Sequence, residues 1–86
     1  MKKSIYSDDY RLFLQKLIEL RLSKSIKQSE LAVNLNVPQS FVSKYETGER
    51  RLDIIELNEI LKHLDSSIVD FITDLSKELC GSKQEL

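Results

Sequence analysis

Gln39, Ser40, Ser43 and Lys44 are the residues whose types and spacing could do chemistry together. At about 100° per residue on a helix, Gln39 lies with Ser43 and Ser40 with Lys44, so the four make one polar arc. Phe41, Val42 and Tyr45 fall on the other side, and Glu46 sits at the border next to Val42. An amide, two hydroxyls and an ammonium on one rod can both donate and accept hydrogen bonds. That set matches the edges of nucleic-acid bases: glutamine can bond adenine in two places, lysine can bond guanine, and serine can serve either. A polar arc is also what the wet face of an ordinary globular helix looks like. The elements around it must decide.

The residues just before the arc supply a frame. Gln28 to Leu35 spaces Leu31, Ala32 and Leu35 on one face of a short helix. Asn36 interrupts it, since Asn adopts the left-handed backbone of a tight turn at lower cost than most residues other than Gly. Val37 can point back inside. Pro38 suits the first turn of a new helix because it brings no amide that wants a partner. The second helix runs to about Glu46, and Gly48 is its natural stop.

Residues 28–48 resemble the helix-turn-helix of the Cro and phage-repressor domains, the XRE family. With Gln28 as the first motif position, Ala32 stands where the motif wants a small residue. Leu31, Leu35, Val37, Val42 and Tyr45 stand where it wants core residues, and Gln39 opens the recognition helix. The likeness extends from about Phe13 to Phe71, including Leu17-x-x-Leu20-Arg21 before the motif and Glu46-Thr47-Gly48-Glu49-Arg50-Arg51 after it. It implies an all-α, compact five-helix, lambda-repressor-like domain with the helix-turn-helix at helices 2 and 3. It also implies a buried ion pair between Arg21 and Glu46. Two positions depart from the pattern. Asn36 replaces the usual turn glycine. Lys27 replaces a Ser or Thr cap worth about 1 kcal/mol and sets a cation at a helix N-terminus, unfavourable unless a phosphate arrives there.

On this reading the second motif helix enters the major groove of duplex DNA. Gln39, Ser40, Ser43 and Lys44 read bases, with Gln39 the first choice for adenine. Lys27 and Gln28 meet phosphates at the start of helix 2, and Arg50 and Arg51 meet them further on, fixing register without reading sequence. The expected activity is that of a transcriptional regulator, a small repressor or controller of bacterial or phage origin, bound to a pseudo-palindromic operator as a homodimer. A rival reading keeps the scaffold for shape alone and lets helix 5 bind a protein, as an antitoxin binds a toxin.

Composition sets the bounds. Eighty-six residues leave room for one domain and one modest core. Two Gly and one Pro favour helices over a strand-and-turn fold. No apolar run is long enough to span a bilayer, the N-terminus turns acidic before any apolar segment, and the single cysteine, Cys80, fits a reducing cytoplasm. The net charge of −1 argues against a nucleic-acid partner until its distribution is seen. Residues 11–51 carry +4 and residues 52–86 carry −5, so the cations gather where the motif lies.

Taken in order, residues 1–6 are expected to be a loose arm and residues 7–79 the domain. Ser7 caps a first helix running to about Ser23, with Phe13, Leu17 and Leu20 as its inward stripe and Leu14 and Ile18 widening it. Ile26 should insert into the core. Asp53 and Glu56 have capping-box spacing for a fourth helix, 53–64, with Ile54, Leu57, Ile60, Leu61 and Leu64 inward. Ser67 and Asp70 repeat that logic for a fifth helix, 67–79. There Ile68, Ile72, Leu75 and Leu79 make one face while Val69 and Phe71 lie off it, more apolar surface than one core stripe needs. Ile68, Val69, Phe71, Ile72 and Leu75 are therefore the expected dimer contact. Residues 80–86 form a polar tail. His63, the sole histidine, reads as a surface residue. With one distant cysteine it makes no metal site. No catalytic constellation, phosphate loop, cofactor motif or small-molecule site is apparent.

Overall fold

The computed structural model describes residues 8–81. Five helices follow one another: α1 Asp8–Ser23, α2 Gln28–Leu35, α3 Gln39–Thr47, α4 Ile54–Lys62 and α5 Ile68–Gly81, with no strand among the described residues. The expected arm, the Ser7 cap and residues 82–86 lie outside them. α5 continues two residues beyond its expected end at Leu79.

Helix ends explain why so short a chain can turn so often. α2 stops at Asn36, whose φ of 62° and ψ of 45° are left-handed, and the Val37 amide donates back to the Ala32 carbonyl at 3.0 Å. That is a Schellman-type closure, and it redirects the chain into α3 within three residues. Gly48, at φ 90°, ends α3. Ser25 and Asp65 take the same left-handed backbone after α1 and α4, and Ile26 and Ser66 donate back to Arg21 and Leu61. Helix starts follow the side-chain signals. Asp53 accepts the Glu56 amide at 2.7 Å while Glu56 accepts the Asp53 amide at 3.0 Å, a complete capping box. Ser67 accepts the Asp70 amide at 3.0 Å.

α2 and α3 pack on each other, α3 packs on α1 and α2 on α4, and α5 closes the far side against α1 and α4. The core joins Leu17, Leu31, Ala32, Val42, Tyr45, Leu57, Ile60, Leu61, Leu64, Phe71 and Leu75, with Ile26, Leu35 and Val37 packed on it. Each large apolar side chain fully buried there contributes about 1.5–3 kcal/mol. Because Leu31, Val42 and Tyr45 belong to that core, α2 and α3 are held as one rigid corner.

Three inward faces differ from those the spacing predicts. On α1 the buried residues are Leu14, Leu17 and Arg21, while Phe13 and Leu20 are only half-buried. The stripe is rotated so that Arg21 goes inside, and Phe13 instead stacks edge-on against Phe71 at 5.9 Å. On α4, Ile54 is 58% exposed, because it sits in the first turn beside the Asp53 cap. On α5, Phe71 and Leu75 are buried and Ile68 and Leu79 lean on the core. That leaves Val69 and Ile72 outside, at 69% and 41% exposed. Lys16 pairs across α1 and α5 in this orientation. Its ammonium, half-buried between α1 and α5, pairs with Asp74 at 2.9 Å and also with Glu78. Phe71 and Leu75 are thus core residues of the single chain. His63 is half-buried rather than on the surface. It caps the C-terminus of α4, and its Nδ1 is buried without a hydrogen-bond partner.

Candidate nucleic-acid interface

The polar arc of α3 stands clear of the rest of the molecule. Gln39, Ser40 and Lys44 are exposed and Ser43 is half-buried, while Val42, Tyr45 and Glu46 on the opposite side are buried. Ser43 Oγ donates to the Ser40 carbonyl at 3.4 Å, a long contact within the helix. Thr47 is also exposed, one turn beyond Ser43 and Lys44. Its hydroxyl donates to the Lys44 carbonyl at 3.1 Å. Thr47 extends the arc to five residues, at positions 39, 40, 43, 44 and 47. Its i+7 spacing from Ser40 places it on the same face, but a helix that stops at Glu46 leaves it out.

Beneath the arc lies a charged link from core to surface. Arg21 Nε donates to Glu46 Oε2 at 2.7 Å and Arg21 Nη2 to Glu46 Oε1 at 3.1 Å, with the two side chains 9% and 5% exposed. Arg21 Nη1 also donates to the Ile26 carbonyl at 2.8 Å, which ties the α1–α2 connection to the same guanidinium. The fork geometry is what guanidinium and carboxylate favour when both are taken from water. Gln28, the first residue of α2, donates its Nε2 to Glu46 Oε1 at 2.8 Å, and Gln39, the first residue of α3, donates its Nε2 to Gln28 Oε1 at 3.4 Å. Sequence spacing could not reveal that Gln28 is engaged this way, because its partner lies 18 residues along the chain. Beside this link, burial, with the Glu46 charge adding to it, pushes the Tyr45 phenol above its ordinary pKa, so Tyr45 stays neutral.

The cations around the arc fall into two groups. Arg50 is committed within the chain: it forks onto Glu56 at 3.1 and 2.8 Å, donates to the Arg51 carbonyl at 3.1 Å and lies 4.4 Å over the Phe41 ring. The Arg50 hydrogen bonds, helped by the Asp53 amide, hold the Glu56 carboxyl below its usual range. Lys27, Lys44 and Arg51 are exposed and none of them has a carboxylate partner among the described residues. Arg51 rests over the Tyr10 ring at 4.7 Å, which props it on α1 without neutralising it. Lys27 occupies the N-cap of α2 and its side chain makes no cap bond, but Glu30 accepts the Lys27 amide at 2.8 Å and recovers half of a capping box.

A helix-turn-helix family model matches residues 17–71. An XRE-family-like protein from Pseudomonas syringae pv. tomato str. DC3000 is 38% identical over 90% of this chain and 94% of its own, with a TM-score of 0.82. This chain belongs to the XRE-type helix-turn-helix family. It is similar also to the wild-type restriction–modification controller protein C.Esp1396I, at 31% identity over 86% of this chain and 97% of that one, TM-score 0.76. The C.Esp1396I tetramer bound to its natural 35 base-pair operator matches at 31% identity over the same shares, TM-score 0.75. No curated protein matches the chain. Within this XRE-type chain, α2 and α3 are the motif and α3 is its recognition helix. No described helix is long and apolar enough to cross a membrane, and no described cluster of His, Cys, Asp and Glu could hold a metal ion.

Proposed function

We propose that this XRE-type protein is a transcriptional regulator that reads duplex DNA through α3, in the manner of a small controller or repressor. The observation that carries the proposal is the exposure of Gln39, Ser40 and Lys44 on a helix whose other face is locked into the core. A major groove about 12 Å wide admits such a helix, and these groups then face base edges. Ser43 and Thr47 complete the reading face. Lys27 and Arg51, which have no carboxylate partner among the described residues, supply the phosphate contacts. Arg50 and Gln28, each engaged within the chain, stand behind them as supports: Arg50 buttresses Phe41, and Gln28 buttresses Gln39.

The DNA-bound species is a homodimer, and the similarity to an operator-bound controller supports oligomeric binding. Val69 and Ile72, with half-buried Ile68 beside them, are the apolar residues of α5 left for a twofold contact. Phe71 and Leu75 serve it only by holding α5 in place. Two recognition helices related by that axis would lie about 34 Å apart and read two half-sites one helical turn apart.

Salt tests the proposal. Two such cations per protomer give about four phosphate contacts per dimer, so affinity should fall by about 10² between 50 and 200 mM salt. Arg51→Ala should weaken binding to all sequences alike and flatten the log–log salt slope by about one unit per protomer. An affinity indifferent to salt would point to a protein partner contacted through apolar surface. An unchanged slope in the variant would place Arg51 away from phosphate.

A further inference from the structure

Arg50 stands at the edge of the reading face, yet its charge is already matched. Its backbone N–H donates to the Lys44 carbonyl at 3.1 Å, which folds the chain after Gly48 back against the last turn of α3. The guanidinium is occupied on two sides. In its own plane it forks onto Glu56, Nη1 to Oε1 at 3.1 Å and Nη2 to Oε2 at 2.8 Å, and one face lies 4.4 Å from the Phe41 ring centre. A guanidinium presents that same fork to two phosphate oxygens. Glu56 is held ready for it. Its Oε1 also accepts the Asp53 amide at 3.0 Å in the capping box of α4. The carboxyl, kept below its usual range chiefly by the Arg50 hydrogen bonds, stays ionised.

We infer that Glu56 is a positioning residue that stands in for a backbone phosphate, holds Arg50 out of contact with DNA and so limits sequence-independent affinity. For Arg50 to reach a phosphate, two charge-assisted hydrogen bonds within the chain must be exchanged for two to DNA, a trade between like partners. The exchange would also leave the Glu56 carboxylate without its counter-charge, beside a polyanion that repels it. An ordinary surface ion pair is too weak to hold a cation back, but a bidentate arginine–carboxylate pair is the exception. Here both partners are fixed from a second direction, by Phe41 and by the Asp53 amide. Arg51, the next residue, carries the same charge and has no carboxylate partner among the described residues. Of the two neighbouring arginines, only Arg51 is left to displace counterions from DNA. The Arg50 and Glu56 side chains are 40% and 29% exposed, so a substitution at Glu56 opens the fork without disturbing the core.

This inference rests on the proposal that the protein binds duplex DNA, and the test separates the two. Glu56→Gln removes the charge, keeps the side-chain length and suits a capping box equally well. Glu56→Ala, which leaves the Asp53 side chain bonded to the backbone amide of residue 56, is the second variant should the first fail to fold. Binding to a duplex of random sequence is titrated from about 50 to 200 mM salt. The proteins compared are the wild type, the two Glu56 variants, Arg50→Ala, Glu56→Gln combined with Arg50→Ala, and Glu59→Gln as a charge control one turn along α4. Freeing Arg50 adds one phosphate contact per protomer. Either Glu56 variant should therefore bind tighter at low salt and lose about tenfold more affinity than the wild type across that range, the log–log slope steepening by about one unit per protomer. Glu59→Gln should leave the slope unchanged, and the combined variant should return to the wild-type slope. A wild-type slope in both Glu56 variants, equal steepening in Glu59→Gln, or steepening that survives in the combined variant would overturn the role of Glu56 and leave DNA binding standing. So would a slope flattened by Arg50→Ala alone, since phosphate would then already have displaced Glu56. If the wild type binds no duplex even at the lowest salt, the DNA-binding proposal fails first and the role of Glu56 falls with it.

Discussion

Arg21→Ala should lower the unfolding free energy by about 3–5 kcal/mol, the cost of leaving a buried charge without its partner. Glu46 would remain with its side chain only 5% exposed and its counter-charge gone. The Ile26 carbonyl would lose its 2.8 Å donor at the same time. A domain of this length is stable by about 4–13 kcal/mol in all, so the variant should sit near the edge of folding. The pair as a whole adds much less than this, because taking both charges from water offsets most of their attraction. Arg21→Met combined with Glu46→Leu should therefore recover much of the loss. Urea unfolding reads both variants, provided the slope against denaturant is unchanged. A loss under about 1 kcal/mol for Arg21→Ala would mean that water reaches Glu46 and that the link beneath the arc is not buried.

The second large effect falls on binding. Gln39→Ala should weaken the preferred site by about 1–3 kcal/mol and relax a single base-pair position. The size follows from losing both hydrogen bonds of a bidentate amide. The narrowness follows from geometry: Gln39 opens α3, with Ser40, Ser43 and Lys44 following along the stripe. Titration of the variant against single-substitution duplexes measures both. Equal losses on all sequences would remove Gln39 from the reading set and leave it a helix-opening residue.

The helix-turn-helix corner was legible because its signals are local. Asn36 permits a left-handed turn, Pro38 fits a helix start and Gly48 permits a left-handed stop. α2 and the start of α3 accordingly fall where the spacing puts them. The turns at Ser25 and Asp65 were not legible, since neither residue announces a left-handed backbone as glycine does. Nor was the rotation of α5. Six apolar residues in one helix leave several possible inward faces. The face chosen is the one that buries Phe71 and Leu75 among residues more than ten positions away, such as Leu17 and Leu57, with Lys16 pairing to Asp74 and Glu78 at its edge. The same applies at the interface. The types along α3 could be read in sequence, but not which neighbours were already engaged: Arg50 looked free until Glu56 and Phe41 were seen around it. Likewise the spacing does not reveal that the Gln28 amide donates to Glu46.

Selection of bound duplexes from a random oligonucleotide pool tests the central claim most directly. A reading helix on each half of a twofold dimer should enrich an inverted repeat whose half-sites are centred about 10 base pairs apart, with one position that Gln39→Ala no longer distinguishes. A pool that emerges unenriched, or a consensus without symmetry that Gln39→Ala leaves intact, would contradict it.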